Sequence, residues 1–198
     1  MKLLIATTNI GKRKELLDLL KGLSIEVVTP TQLGLTLDVD ESGQTYAENA
    51  CLKAQAFFDA SRLVTLADDT GLEVDALGGR PGVHSARYVE KPGATDADRR
   101  AKLLSELSAF PRPWKAHFHC TVAVAASTAE IHLFEGNVYG EIVSYESGEN
   151  GFGYDRLVYI LEAGKTLADC EMEEKNRLSH RAIAVKKAIP YLLSLENS

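Results

Sequence analysis

The sequence predicts an α/β fold, and three observations carry that reading. Aliphatic runs at Met1–Thr7, Ile25–Thr29 and Leu63–Ala67 have the length of buried strands. Between them, apolar residues recur at helical spacing: Leu16, Leu17, Leu20 and Leu23, then Ala47, Ala50, Cys51, Ala54, Phe57 and Phe58. In the second half, Lys115–Ala126, Ile131–Phe134 and Val138–Tyr145 read as strands separated by short turns, so this half reads as antiparallel. A chain of 198 residues suits one domain, 1–198, with room for a small lobe.

Composition narrows the function classes. Apolar residues make up 45% and charged residues 25%, the balance of a soluble globular protein. No apolar run reaches membrane length, and the start enters a strand-like run directly, so neither a membrane partner nor a signal peptide is expected. Cys51, Cys120 and Cys170 are odd in number, far apart and outside C-x-x-C spacing, which argues against a disulfide framework or a zinc site and fits a reducing cytoplasm. The net charge of −6 argues against a nucleic-acid partner. A polyanionic substrate would therefore need local lysine, arginine or metal.

Along the chain, Thr7-Thr8-Asn9-Ile10-Gly11-Lys12 reads as a polar turn entering the first helix. Such a turn can offer backbone N–H groups to phosphate, although it lacks the glycine and the Ser/Thr of a Walker loop, and taken by itself a plain strand–helix connection is the preferred reading. Residues 31 to 44 are acidic and irregular, with Asp38, Asp40 and Glu41. Thr45-x-x-Glu48 is a capping box for the second helix, on which Asn49 and Lys53 are neighbours. Thr95 is expected to cap a helix over 96–108 with Ala97, Ala101 and Leu104 facing inward. His117 and His119 share a strand face, but no third ligand is near, so they read as a polar sheet face. Leu157–Leu161 reads as a last strand, Leu167–Asn176 as an acidic helical stretch, and Ser179 as the cap of a final helix that Pro190 should kink or end.

Two stretches carry chemistry. Leu66-Ala67-Asp68-Asp69-Thr70-Gly71 reads as a strand ending in two acids and a turn. Carboxylates at a strand end lie where α/β proteins bind ligands, and an all-oxygen site suits Mg²⁺; the same acids would also serve as turn caps. In Gly151-Phe152-Gly153-Tyr154-Asp155, an aromatic between glycines with an acid at its edge reads either as a nucleobase platform or as a core aromatic beside a turn.

Read together, Thr7-x-Asn9-x-x-Lys12, Glu48-Asn49-Ala50-x-x-Lys53-Ala54, Ala67-Asp68-Asp69-Thr70-Gly71-Leu72, Gly78-Gly79-x-Pro81-Gly82, Ser85-Ala86-Arg87-Tyr88, Phe152-Gly153-Tyr154-Asp155, Glu174-Lys175 and Ser179-His180-Arg181 form an ordered set. In that order and spacing the sequence resembles the inosine triphosphate pyrophosphatase family, from residue 3 to about 190. The resemblance implies an elongated mixed β-sheet with flanking helices, forming two lobes around a central cleft. It implies a cytoplasmic, homodimeric, Mg²⁺-dependent enzyme that cleaves ITP, dITP and XTP to the monophosphate and pyrophosphate.

By motif position, Thr7, Thr8, Asn9, Ile10, Gly11, Lys12 and Lys53 would serve the phosphates. Asp69 would be metal ligand and proton acceptor, with Asp68 open as the base. Asp40 or Glu41 would be the second metal ligand. Thr70, Phe152, Gly153, Tyr154, Asp155, Lys175, His180 and Arg181 would bind the nucleotide, with His180, Arg181 or backbone N–H groups reading the 6-oxo group. Thr70 stands where relatives usually have Ser, and Arg156 where many have Pro. The competing readings are a Maf-like pyrophosphatase acting on modified nucleotides and a non-catalytic nucleotide sensor.

Overall fold

The computed structural model describes residues 1–128 and 130–196. Its eight strands are β1 (Lys2–Ile5), β2 (Glu26–Val28), β3 (Val64–Val74), β4 (Pro81–Gly82), β5 (Trp114–Ser127), β6 (Glu130–Ile142), β7 (Val158–Ile160) and β8 (Lys165–Thr166). They form one mixed sheet in the order β2-β1-β3-β5-β6-β7-β8, with β4 pairing β3. β1 runs parallel to β2 and β3, whereas β3–β4, β6–β7 and β7–β8 are antiparallel. The helices are α1 (Ile10–Leu19), α2 (Tyr46–Ser61), α3 (Asp96–Leu107), α4 (Met172–Leu178) and α5 (His180–Ser194).

The chain divides into two compact units. The first comprises residues 1–69, 120–136 and 181–198; the second comprises 70–119 and 137–180. In the first, strand alternation sends side chains to two separate cores. Leu3, Ile5, Leu66, Cys120, Val122 and Val124 pack against α1 and α5 through Leu16, Leu20, Val185 and Leu192. Leu4, Ala6, Ala67, Ala123 and Ala125 face the other way, onto Ala50, Ala54, Phe57 and Phe58 of α2. Helices therefore cover both faces of these strands, as parallel pairing requires.

The second unit has one core. Leu72, Val74, Trp114, Phe118, Val138, Ile142 and Val158 pack with Leu103 and Leu107 of α3. The opposite face of β5 there carries His117, near Glu73 and stacked on Tyr139, and His119, bonded to Asn137, so both histidines lie on a polar sheet face as expected.

Several expected boundaries move. β3 does not stop at Ala67; it runs through both acids to Val74, with β5 beside it in the sheet and β4 paired at Leu72 and Glu73. Residues 131–134 and 138–142 are not two strands but parts of the single β6, which ends at Ile142, short of the expected Tyr145. Thr121, expected on the polar face of β5, is buried, because α2 covers that face beyond the histidines. β7 is followed by the short β8, so it is not the last strand. The stretch from Leu167 splits into a 3-10 turn, Leu167–Asp169, and α4.

The inner face of α3 is Arg100, Leu103 and Leu107, whereas Ala97 and Ala101 are exposed. Small alanines gave a weaker guide than the leucines, and the arginine's ion pair with Glu146 permits its burial. α5 continues past Pro190 to Ser194.

Candidate active site

Alternation along β3 decides what each acid meets. Asp68 follows the side of Leu66, toward α1 and α5; Asp69 follows the side of Ala67, toward α2. Adjacent residues of one type thus enter different environments.

Asp68 joins an internal chain of charges. Its Oδ2 accepts from Arg181 Nε at 3.1 Å and pairs with Lys12 Nζ at 3.0 Å. Arg181 also donates from Nη1 to Glu15 Oε2, and Arg181, Asp68 and Glu15 are all buried. Burial pushes the Asp68 carboxyl up, but Lys12, Arg181 and Lys53 outweigh it and hold the group well below the usual carboxylate range.

Asp69 has different partners. Its Oδ2 accepts from Asn49 Nδ2 at 3.3 Å, and its Oδ1 lies 3.4 Å from Lys53 Nζ. Lys53 Nζ is also 2.8 Å from Glu41 Oε1. Burial raises the Asp69 carboxyl; Lys53 and Lys12 pull it down, Glu41 and Asp68 push it up, and it ends above its ordinary value. Lys53 is burdened by burial, yet Asp69, Asp68 and Glu41 raise it, so it stays an ammonium. Asp68 is therefore bound up by cations as a poor proton acceptor, and Asp69 is the more basic of the pair.

The turn before α1 is ordered by its own side chains. Asn9 caps the helix, accepting from Lys12 N–H at 3.0 Å, and its own N–H donates to Thr7 Oγ1. First-turn N–H groups have no intrahelical acceptor, and Thr8 and Ile10 at this turn are exposed.

In the second unit, Asp155 is a hub. Its Oδ2 pairs with Lys175 Nζ at 2.6 Å and accepts from Phe152 N–H at 2.9 Å, and the Lys175 ammonium lies 5.1 Å from the Phe152 ring centre. Gly153 is fixed from both sides by α3: its N–H donates to Asp96 Oδ2 at 2.7 Å and its carbonyl accepts from Arg100 at 2.7 Å. Tyr154 donates to Ser85 O at 3.0 Å, and His180 stacks on Phe118 at 4.7 Å. Phe152 alone of these aromatics is only half-buried, so its ring is a surface on which a base can stack.

The Ham1 family model matches residues 3–191. The chain belongs to the Ham1 family. It is 46% identical to a dITP/XTP pyrophosphatase of Desulforamulus reducens over 97% of this chain and 96% of that one. It is 41% identical to the dITP/XTP pyrophosphatase of Bacillus subtilis, with 93% of each covered. Among solved structures, a Ham1 protein from Coxiella burnetii superposes with a TM-score of 0.88 at 35% identity, covering 98% of this chain and 99% of that one.

Of the residues singled out in this Ham1 sequence, the first unit gathers Lys12, Glu41, Lys53 and Asp69, and the second gathers Phe152, Gly153, Tyr154, Asp155 and Lys175. Thr70 follows Asp69 on β3, half-buried. Asp40 is exposed, and of the two acids it is Glu41 that joins Lys53. Arg181, expected to read the base, is 1% exposed and bonded to Asp68 and Glu15. Sequence reasoning missed Glu15 and Asn49 as site-shaping residues. Asn49 carried a signal, its i, i+4 spacing from Lys53; Glu15 carried none.

No group of three or more His, Cys, Asp or Glu side chains that could hold a metal is found among the described residues. The pair Glu41 and Asp69 still fits Mg²⁺, which is commonly held by one or two carboxylates plus substrate phosphates. A cation, the Lys53 ammonium, already sits against both.

Gly151 has φ +76°, and a Cβ there would lie 2.2 Å from Asp155 Oδ2. Gly151→Ala should displace the Asp155 carboxylate, lowering stability by about 1–3 kcal/mol through strain and the disturbed buried pair. Chemical denaturation measures this; an unchanged midpoint would mean that the turn relaxes freely.

Proposed function

We propose that this Ham1-family chain hydrolyses ITP, dITP and XTP to the monophosphate and pyrophosphate. The observation that carries the reading is the first-unit constellation, in which Asp69 faces Lys53, Glu41 and Asn49 while Asp68 holds Lys12 at the start of α1. Near-full-length similarity to proteins named dITP/XTP pyrophosphatase supports it.

Water attack on phosphorus with pyrophosphate leaving needs positioning and charge neutralisation more than covalent catalysis. Asp69, the less acidic carboxylate of the pair, takes a proton from the attacking water. Lys12, Lys53 and the first-turn N–H groups of α1 hold triphosphate oxygens, which is how a protein of net charge −6 accepts a polyanion. Mg²⁺ held by Asp69 and Glu41 would supply further charge neutralisation at those oxygens. In the second unit, Phe152 stacks on the base, with Asp155 and Lys175 fixing its backbone. With Arg181 bonded to Asp68 and Glu15 and His180 buried against Phe118, the donor for the 6-oxo group falls to a backbone N–H, and a site so built rejects the 6-amino group of adenine by about 10⁴-fold or more. Following the resemblance, the enzyme works as a cytoplasmic homodimer that clears such nucleotides before they are incorporated into DNA or RNA.

Pyrophosphate release from ITP, XTP, dITP, ATP, GTP and dTTP, with and without Mg²⁺, tests this reading. Release from the first three alone, abolished by chelation, is expected. Orthophosphate as the product would mean that a different bond is cleaved.

A further inference from the structure

We propose that Lys53 is a resident counter-ion which a divalent metal displaces from Glu41 and Asp69, and that the displaced ammonium then serves the triphosphate. The proposal rests on reading those two carboxylates as the metal pair. Lys53 Nζ touches both, at 2.8 Å and 3.4 Å, with its side chain only 12% exposed. A lysine without such a role extends its ammonium to water; here the charge is held inside an acid cluster.

The frame around it does not depend on Lys53. Asn49 donates to Asp69 Oδ2 and accepts the Gly43 N–H at 2.8 Å. Glu48 accepts from Gln44 and Thr45 N–H, closing the capping box of α2. The segment bearing Glu41 is therefore tied to α2 through Gly43, Gln44 and Thr45, and Asp69 is held by β3. The part free to move is the flexible lysine stem. One ammonium thus faces two carboxylates, Glu41 and Asp69, and exchanging a single for a double positive charge against that pair is favourable. It also frees an ammonium where a polyanion must be bound.

The test is Mn²⁺ binding to the nucleotide-free protein, followed by the paramagnetic resonance signal of the free ion. Competition predicts that Lys53→Met binds Mn²⁺ roughly tenfold more tightly than wild type, since a repelling charge at contact distance is removed. Lys53→Arg, retaining the charge, should stay near wild type, and Glu41→Gln should bind more weakly. At saturating metal, Lys53→Met should raise the KM for ITP. If Lys53→Met fails to fold, Lys53→Gln reads the same quantity. Equal or weaker Mn²⁺ affinity in the neutral variant overturns the exchange, as does absence of Mn²⁺ binding to wild type. Tighter binding in a protein whose wild type does not hydrolyse ITP would sink the assigned reaction and leave the exchange standing. Hydrolysis with unchanged Mn²⁺ affinity would do the reverse.

Discussion

Asp69→Asn is expected to lower ITP turnover by about 10²–10⁴-fold, the usual worth of a positioned general base, while the protein stays folded. The amide preserves the shape of the side chain but removes both the proton acceptor and one charge of the metal pair. Stability should hold or rise at neutral pH. The sign follows from the raised Asp69 carboxyl. Such a group contributes stability below its unfolded value and loses it as pH rises through its folded value, so the charged form is the costly one in the neutral range. Steady-state kinetics and a melting curve together decide the matter: more than a tenth of wild-type turnover in a folded variant would remove Asp69 from its role.

How much of this was legible beforehand depended on whether a feature is local. The strands and helices of the first unit follow aliphatic runs and helical spacing, and β1, α1, α2 and the start of β3 lie where those signals put them. The capping box at Thr45 and Glu48 is a contact three residues long, and it forms as read. Asp69 and Lys53 were recognisable because charged residues beside apolar runs stand out. The direction each acid faces was not recognisable, because the apparent turn at Asp68-Asp69 is continuous strand, within β3 and beside β5 in the sheet. The misjudged face of α3 has a related cause: Arg100 is buried only because Glu146 and the Gly153 carbonyl receive it. Arg181 is the sharpest case. In sequence it adjoins His180 and looks like a ligand donor; in the fold its partners lie at Glu15 and Asp68, far away along the chain.

Arg181→Met is therefore expected to act mainly on stability. Removing the guanidinium takes from buried Glu15 and Asp68 the cation that pairs with both, and breaking a buried ion pair by deleting one partner costs about 3–5 kcal/mol. At roughly 2–4 °C per kcal/mol for a chain of this size, the melting temperature should fall by about 10 °C. Combining it with Glu15→Gln should cost less than the sum of the two changes, since both act on one pair. Acid provides an independent check. Asp68 has a lowered carboxyl, so its contribution is complete above the ordinary value of 3.8 and is lost as pH falls toward its folded value. The stability gap between wild type and Arg181→Met should thus be level through the neutral range and narrow only in strong acid. Turnover should suffer second-hand: with Arg181 gone, Asp68 draws more fully on Lys12, which raises the KM for ITP more than it lowers kcat. A melting temperature within about two degrees of wild type would show that the Glu15–Arg181–Asp68 chain does not hold this end of the sheet. A lost preference for ITP over ATP at unchanged stability would return Arg181 to reading the base.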